Sequence, residues 1–560
     1  MSTKEAFEQA KHFFLEGLSR FKKGEYEIAE MNYRKSLALV PNRESTLSNL
    51  CLALLGSNKI NDAEQVVINL NILFPKNKNH ILLAIEVYSK QKNWDVALNF
   101  ADQLLELGMP ESSGHCHRAM ILFELRRFSE AIIYFDKSVI LNKHNAEAYF
   151  GRGNAHQALG QFEEAVSDYD SALINSENYF EAYVNRGIAF VEMRLFGRAR
   201  LSFESAIKLN PVSAEAHFGL GNALAGLGQT REAIDSFQQA INLKSGFADA
   251  YFNKSVNLLS EGDYAQGWSL HEWRWKGNAT NPERNFPVPI WLGGSSLVNK
   301  TILLHAEQGL GDSIQFCRYA KLVKNLGATT LLEVPKGLIG LLRDLEGVDL
   351  LIQSGEPLPP FDYHCPLLSL PLAFNTNLQS IPSPSAYLKR SHKGQEKWAQ
   401  RLGVKTKPRV GIVWSSTSNY KNDVERSILL SSFLEYFPVA NLDLVCLQKE
   451  IKSADMACFD LFSDQIRYFG DDLTDFSDTS ALAGCMDLVI STCTSVPHMT
   501  GALGIETWLL LSHVPDWRWL KDRNDSPWYE SMKLYRQSRD KEWAPVLKLV
   551  AQDLSARFSI

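Results

Sequence analysis

The chain has 560 residues, 45% hydrophobic and 22% charged, with a formal net charge of −6. One hydrophobic core rarely serves such a length, so more than one domain is expected, and the mildly acidic balance gives no support for a nucleic-acid partner, which would need a strongly basic surface. Eight scattered cysteines without CxxC or zinc spacing, no run near 18 apolar residues and no signal-peptide core in MSTKEAFEQAKHFF predict reduced thiols, no metal site and no transmembrane segment. A soluble cytoplasmic protein is the expectation.

Ala29, Ala63, Ala97, Ala131, Ala165, Ala199 and Ala233 recur every 34 residues, with Gly267 on the next beat. Gly17, Ala119, Gly153, Gly187 and Gly221 mark a second small position, and Pro41, Pro75 and Pro211 keep one phase, with Pro110 one residue late. Small residues where two helices cross closely, at this period, predict paired helices stacked into an α solenoid over residues 1–280, about eight repeats. These residues closely resemble the tetratricopeptide family. The resemblance implies a groove that takes a partner or acceptor polypeptide; a scaffold or oligomerisation arm is the alternative, and the oligomeric state stays open. O-GlcNAc transferase lines a similar groove with asparagines. The matching slot carries Asn49, Asn185 and Asn253 here, but Leu15, Leu83, His117, Gly151 and Gly219 elsewhere, a patchy ladder. Asp168-Tyr169-Asp170 looks like a metal-binding DxD, yet it falls in a second helix and is expected to be a solvated face.

Residues 281–300 read as an aromatic and proline-rich connector, with Trp268, Trp273 and Trp275 sealing the solenoid against the next domain. Strands are predicted at 302–306, 330–334, 348–352, 410–414, 442–447, 488–491 and 507–511, mostly separated by helical stretches. The polar stretch 382–407 splits them into two sets, so two Rossmann-like halves follow, 301–395 and 396–560. Such sheets bind ligands beyond the carboxyl ends of their strands.

The first set opens with LLHAEQGLGDSIQFCRYAKLV, in which a strand ends at Gly309-Leu310-Gly311-Asp312 before a helix with Ile314, Cys317, Leu322 and Leu326 on one face. An acid at the mouth of this turn would repel a phosphate lying on it, so Asp312 suits a proton acceptor; a helix N-cap is the alternative. A dinucleotide fold would use Gly309-x-Gly311 with Glu333 as the ribose acid, but Ile314 holds the third glycine position. In the second set, Ser415 follows a strand and Arg426-Ser427 precede a helix, a polar floor with a cation for a diphosphate leaving group. Gln448 and Lys449 follow another strand and are candidates for the nucleotide border. The third element is LVISTCTSVPHMTGALG.

The Gly311-Asp312 pair, Arg426 and the third element resemble the heptosyltransferase-like glycosyltransferases. HEWRW, HAEQGLGD, SLPLAF, PDWRW and DSPWY extend the likeness to bacterial tetratricopeptide–glycosyltransferase fusions. The resemblance implies a GT-B fold of two Rossmann-like halves and metal-independent, inverting transfer from a nucleotide sugar, with no cofactor, to a protein acceptor such as flagellin. It makes Asp312 the base and places Gly309, Gly311, Ser415, Arg426, Ser427, Gln448, Lys449, Thr494, Ser495, His498 and Gly501 about the donor. Cys493 stands where the family's third element opens with Asp, a departure from the family's pattern. A non-catalytic adaptor with a degenerate transferase half is the other reading.

Overall fold

A computed structural model of the chain describes residues 3–108, 112–277, 284–416 and 423–560. Pro110, part of the connector and part of the segment before Arg426 lie outside the described residues. The chain divides into two compact units, Met1–Leu220 and Gly221–Ile560.

The first unit is built of antiparallel helical pairs: α1 (Thr3–Lys22) with α2 (Tyr26–Leu39), α3 (Glu44–Gly56) with α4 (Ile60–Leu73), α5 (Lys78–Lys90) with α6 (Trp94–Glu106), α7 (Ser112–Glu124) with α8 (Phe128–Leu141), α9 (Ala146–Ala158) with α10 (Phe162–Asn175), and α11 (Phe180–Glu192) with α12 (Phe196–Leu209). The in-phase alanines from Ala29 to Ala199 are all fully buried, because a larger residue would hold the paired helices apart. The second small position works by volume exchange with a partner sixteen residues on. A Cβ at Gly17, Gly153 or Gly187 would come within 2.7 Å of Tyr33, Tyr169 or Phe203, respectively. Where the partner shrinks to Val67 or Ala101, the slot enlarges to Cys51 or Ile85, and all four of these residues are buried. Pair volume, rather than residue identity, is what repeats.

Asp168-Tyr169-Asp170 is only in part the expected solvated face, with the Asp170 side chain 48% exposed. Asp168 is 4% exposed and Tyr169 is fully buried. Arg152 donates to Asp168 at 2.9 and 2.5 Å and to Asp136 at 2.5 Å, while Arg186 donates to Asp170 at 2.5 Å. The repeat period puts each arginine sixteen residues from its acid, so the motif staples neighbouring helices.

In the second unit the helices α13 (Ala214–Gly226, begun in the first), α14 (Thr230–Leu243), α15 (Ala248–Glu261) and α16 (Tyr264–His271) precede two sheets. Trp268 is buried beside Phe316 and Trp517, and its indole N–H donates to the Thr376 carbonyl at 2.9 Å. Trp273 instead stacks on Tyr251 of α15, with ring centroids 4.0 Å apart.

The first sheet has the order β3-β2-β1-β4 and is wholly parallel, with β1 at Thr301–His305, β2 at Thr329–Val334, β3 at Leu350–Gln353 and β4 at Tyr363–Pro366. Ile302, Leu304, Leu332 and Val334 face the main core, whereas Leu303, Leu331 and Ile352 are covered by Phe286, Leu358 and Phe361. The second sheet, also parallel, runs β10-β9-β8-β5-β6-β7, with β5 at Arg409–Val413, β6 at Asp443–Cys446, β7 at Ile466–Tyr468, β8 at Leu488–Thr492, β9 at Thr507–Leu511 and β10 at Met532–Arg536.

All seven expected strands are present, and β4, β7 and β10 are additional. β4 carries a histidine and a proline, β7 is three residues long, and β10 carries a lysine and an arginine, so none reads as an apolar run. The helix expected after Gly311 is shorter than its apolar face suggests. It spans Leu310–Phe316, passes through a 3-10 turn at Cys317–Tyr319, and resumes at Ala320–Asn325, leaving Leu326 40% exposed.

Candidate functional site

The loop after β1 is fastened at each step. Ala306 N–H donates to the Glu333 carbonyl at 3.0 Å. Glu307 is gripped by Arg274 at 2.8 and 2.9 Å and accepts from Leu368 N–H at 3.1 Å. Arg274 also bonds Glu272 at 2.5 Å and Ser369 at 2.8 Å, so HEWRW, HAEQG and SLPLAF meet in one buried ionic network. Such a network is costly to break once formed, because removal of one partner strands a desolvated charge.

Asp312 lies in the first turn of the helix Leu310–Phe316, and its Oδ2 accepts from Gly309 N–H at 2.9 Å. Its Oδ1 takes a short hydrogen bond from Arg518, which sits after β9. The Asp312 side chain is 19% exposed and that of Arg518 7%. Arg518 also donates to both oxygens of Asp516 at 2.9 and 3.1 Å and from Nε to Gln315 at 2.6 Å. Burial raises the Asp312 carboxyl above its ordinary range, with the guanidinium pulling the other way. Burial also opposes ionisation of Asp516, but Arg518 and the backbone bond from Arg518 N–H hold that carboxyl below its ordinary range. Two carboxylates on one guanidinium are thereby pushed apart, the pattern that separates a proton acceptor from a permanent charge.

Gly311 abuts the helix Ser495–Ala502 after β8. A Cβ there would lie 2.9 Å from His498 Cδ2 and 3.5 Å from Ser495 Cα, so glycine is needed for this approach. His498 is buried, shares a 2.9 Å hydrogen bond between Nδ1 and the Tyr529 hydroxyl, and stacks on Trp519 at 5.3 Å. Burial, with Arg518 nearby, lowers its pKa to about 3, so the ring is neutral. Thr494 caps the helix by accepting from Val496 N–H at 3.3 Å. Cys493 accepts the Trp519 indole N–H at 3.1 Å, and burial pushes its thiol up to about 11. A thiol raised in this way carries little thiolate, the nucleophilic form, near neutral pH.

After β5, Ser415 N–H and Trp414 N–H donate to Gln448 Oε1 at 3.0 and 2.7 Å, and the Gln448 amide N–H₂ donates to the Ser415 hydroxyl and the Glu450 carbonyl, both at 3.2 Å. Gln448 thus clamps two strand ends, while Lys449 is exposed and offers its carbonyl to Tyr468 at 2.7 Å. Arg426 donates to Ser416 at 3.1 Å and to Asp423 at 3.4 Å, and Lys452 donates to Ser427 at 3.4 Å. Gly501 packs on the far side, where a Cβ would lie 2.5 Å from Tyr529.

Gly309, Gly311, Asp312, Thr494, Ser495 and His498 therefore share one locality, with Arg426 near enough for its charge to act on Cys493. Gln448 and Lys449 belong instead to the strand ends of β5 and β6, and Gly501 lies one turn beyond His498 on the same helix. Arg518, Asp516, Gln315 and Trp519 are the partners that sequence reasoning missed; the density of aromatic and charged residues in PDWRW was the available signal. Among the described residues no group of three or more His, Cys, Asp and Glu could hold a metal ion, and no helix is long and apolar enough to cross a membrane.

In the solenoid, Asn185 donates to Asn154 at 2.8 Å and Asn49 to the Ser45 carbonyl at 2.7 Å. A cavity of about 770 Å³ on the first unit is lined by Ser48, Asn77, His80, Leu83 and His117 among others. In the second unit, Asn253 donates to Asn222 at 2.8 Å.

Residues 116–180 and 184–250 match the family described as Tetratricopeptide repeat. The chain is 24% identical over 330 residues to Protein FlbA of Caulobacter vibrioides (strain ATCC 19089 / CIP 103742 / CB 15), covering 54% of each. It thus spans about half the length of that curated relative. Among solved structures it is similar to a tetratricopeptide repeat protein from Parabacteroides merdae (16% identity, TM-score 0.38, 45% of this chain and 99% of that one). It is also similar to PilW, a type IV pilus biogenesis factor (18% identity, TM-score 0.34, 36% of this chain and 94% of that one). The repeats support a protein-interaction role. Paired helices at a 34-residue period, with the family match at residues 116–180 and 184–250 among them, show repeats of the tetratricopeptide type in the N-terminal half.

Proposed function

We propose that the chain transfers a sugar from a nucleotide-sugar donor to a polypeptide acceptor held by its repeats, with inversion and without metal. In this reading the two sheets are the Rossmann-like halves of a GT-B transferase working in the cytoplasm, with a flagellin-type protein as the acceptor. Asp312 takes the proton from the attacking hydroxyl. Arg426, the hydroxyls of Ser415 and Ser427 and the amides and hydroxyls of residues 494–498 take the charge of the departing nucleotide diphosphate or monophosphate. Gln448 and Lys449 border the nucleotide.

One observation supports this most: the Gly311–Ser495 approach puts a partly desolvated carboxyl from the first sheet beside a capped helix start of the second. A thermal-shift panel of UDP-, GDP-, ADP- and CMP-linked sugars tests it. A rise of several degrees with one nucleotide class is expected; a flat panel from folded protein would contradict it. Cys493 favours a second reading, an adaptor without catalysis, since a neutral thiol stands where the resembling family carries an acid. A flat panel together with retained polypeptide binding would select that reading.

A further inference from the structure

We propose that Arg518 and Asp516 are positioning residues for Asp312, one guanidinium bridging both carboxylates so that Asp312 is aimed and kept ionised while Asp516 absorbs most of the positive charge. This rests on the reading of Asp312 as the proton acceptor. Arg518 cannot swing freely. Its Nε is tied to Gln315 at 2.6 Å, and its plane lies 4.3 Å from the Trp517 ring centroid and 5.7 Å from that of Phe316. It grips Asp516 through two oxygens and Asp312 through one. Both of those bonds to Asp516 come from Nη1, and the Arg518 backbone N–H adds a third at 3.0 Å, so Asp516 accepts more from Arg518 than Asp312 does. Asp312 thus keeps lone pairs for a substrate proton, whereas Asp516 is committed.

The other charged or titratable groups around Asp312 are His498 and Cys493 after β8, both neutral, with Arg318 acting on His498 and Arg426 on Cys493. During transfer the bond from the sugar's anomeric carbon to the phosphate oxygen breaks and its electron pair leaves with the nucleotide. The acceptor oxygen bonds that carbon, and its proton passes to Asp312. Arg518 and Asp516 change neither bonds nor protonation.

The two partners should therefore move Asp312 in opposite directions. With carboxyl-¹³C aspartate in the full chain, the Asp312 resonance is identified by its loss in Asp312→Asn and its midpoint followed by NMR. Arg518→Gln is expected to raise that midpoint, Asp516→Asn to lower it, and Arg518→Lys to return it part-way. The acid limb of the pH profile of kcat/KM should follow in the same sense. If both variants move the midpoint in one direction, or neither moves it, the proposal is overturned. Should Arg518→Gln not fold, Asp516→Asn decides: a lowered midpoint supports the proposal and an unmoved one overturns it. Opposed midpoints with no transfer by the wild-type chain at any pH would remove the transferase reading and still support the arrangement of charges.

Discussion

Asp312 and Arg518, 206 residues apart in the chain, share a part-buried hydrogen bond that joins the first helix after β1 to the loop after β9. Because burial raises the Asp312 carboxyl, this group stabilises the fold below its unfolded pKa, and the contribution is lost as pH rises through the folded value. Ionising this carboxyl within the fold therefore works against stability. Asp312→Asn should leave the melting temperature unchanged or higher, since Arg518 keeps Asp516. A fall of several degrees in calorimetry at pH 7 would contradict this.

The buried histidines set the acid limit. His498 and His305 both have pKa values lowered by burial from 6.5 to about 3. The unfolded chain binds these protons first, so their contribution is complete above about 6.5 and lost as pH falls toward about 3. The melting temperature should drop steadily through that window, and His498→Gln should flatten the drop. An identical slope in the variant would remove His498 from the explanation.

Pair volume in the repeats can be exchanged. Gly153→Ile alone should destabilise by about 1–3 kcal/mol through collision with Tyr169, and Tyr169→Ala alone by about 3–5 kcal/mol through the cavity left. Together they reproduce the Ile85/Ala101 arrangement and should cost clearly less than the sum. A double-mutant cycle showing simple additivity would sink the volume-exchange rule.

Asp168 is a staple, not a metal ligand. Asp168→Asn should cost about 1–3 kcal/mol by weakening the hold on Arg152. Manganese and EDTA should leave the melting temperature of the wild-type chain unmoved. A metal-dependent rise abolished by the variant would reverse the assignment.

What could be read in advance followed from range of interaction. The solenoid was legible because its alanines repeat at a fixed step and each must sit at a helix crossing. The turn at Gly309–Asp312 was legible because glycine and acid chemistry is local. Arg518 and Asp516 were not, since an ion pair spanning 206 residues leaves no spacing to find. Arg274 and Glu307 lie in two quoted motifs, yet nothing in either motif names the other as its partner. Gly311 reads as a phosphate-turn glycine, whereas its close contact is with His498, a packing demand visible only in three dimensions.

The most direct measurement is incorporation of labelled sugar into polypeptide by the wild-type chain and Asp312→Asn, with the donor chosen by the thermal-shift panel. Transfer by the wild type, reduced roughly 10²–10⁴-fold in the variant while donor binding is retained, is the expected result. Equal transfer by both chains would contradict the role of Asp312, and no transfer by a folded wild type that binds donor would contradict the transferase itself.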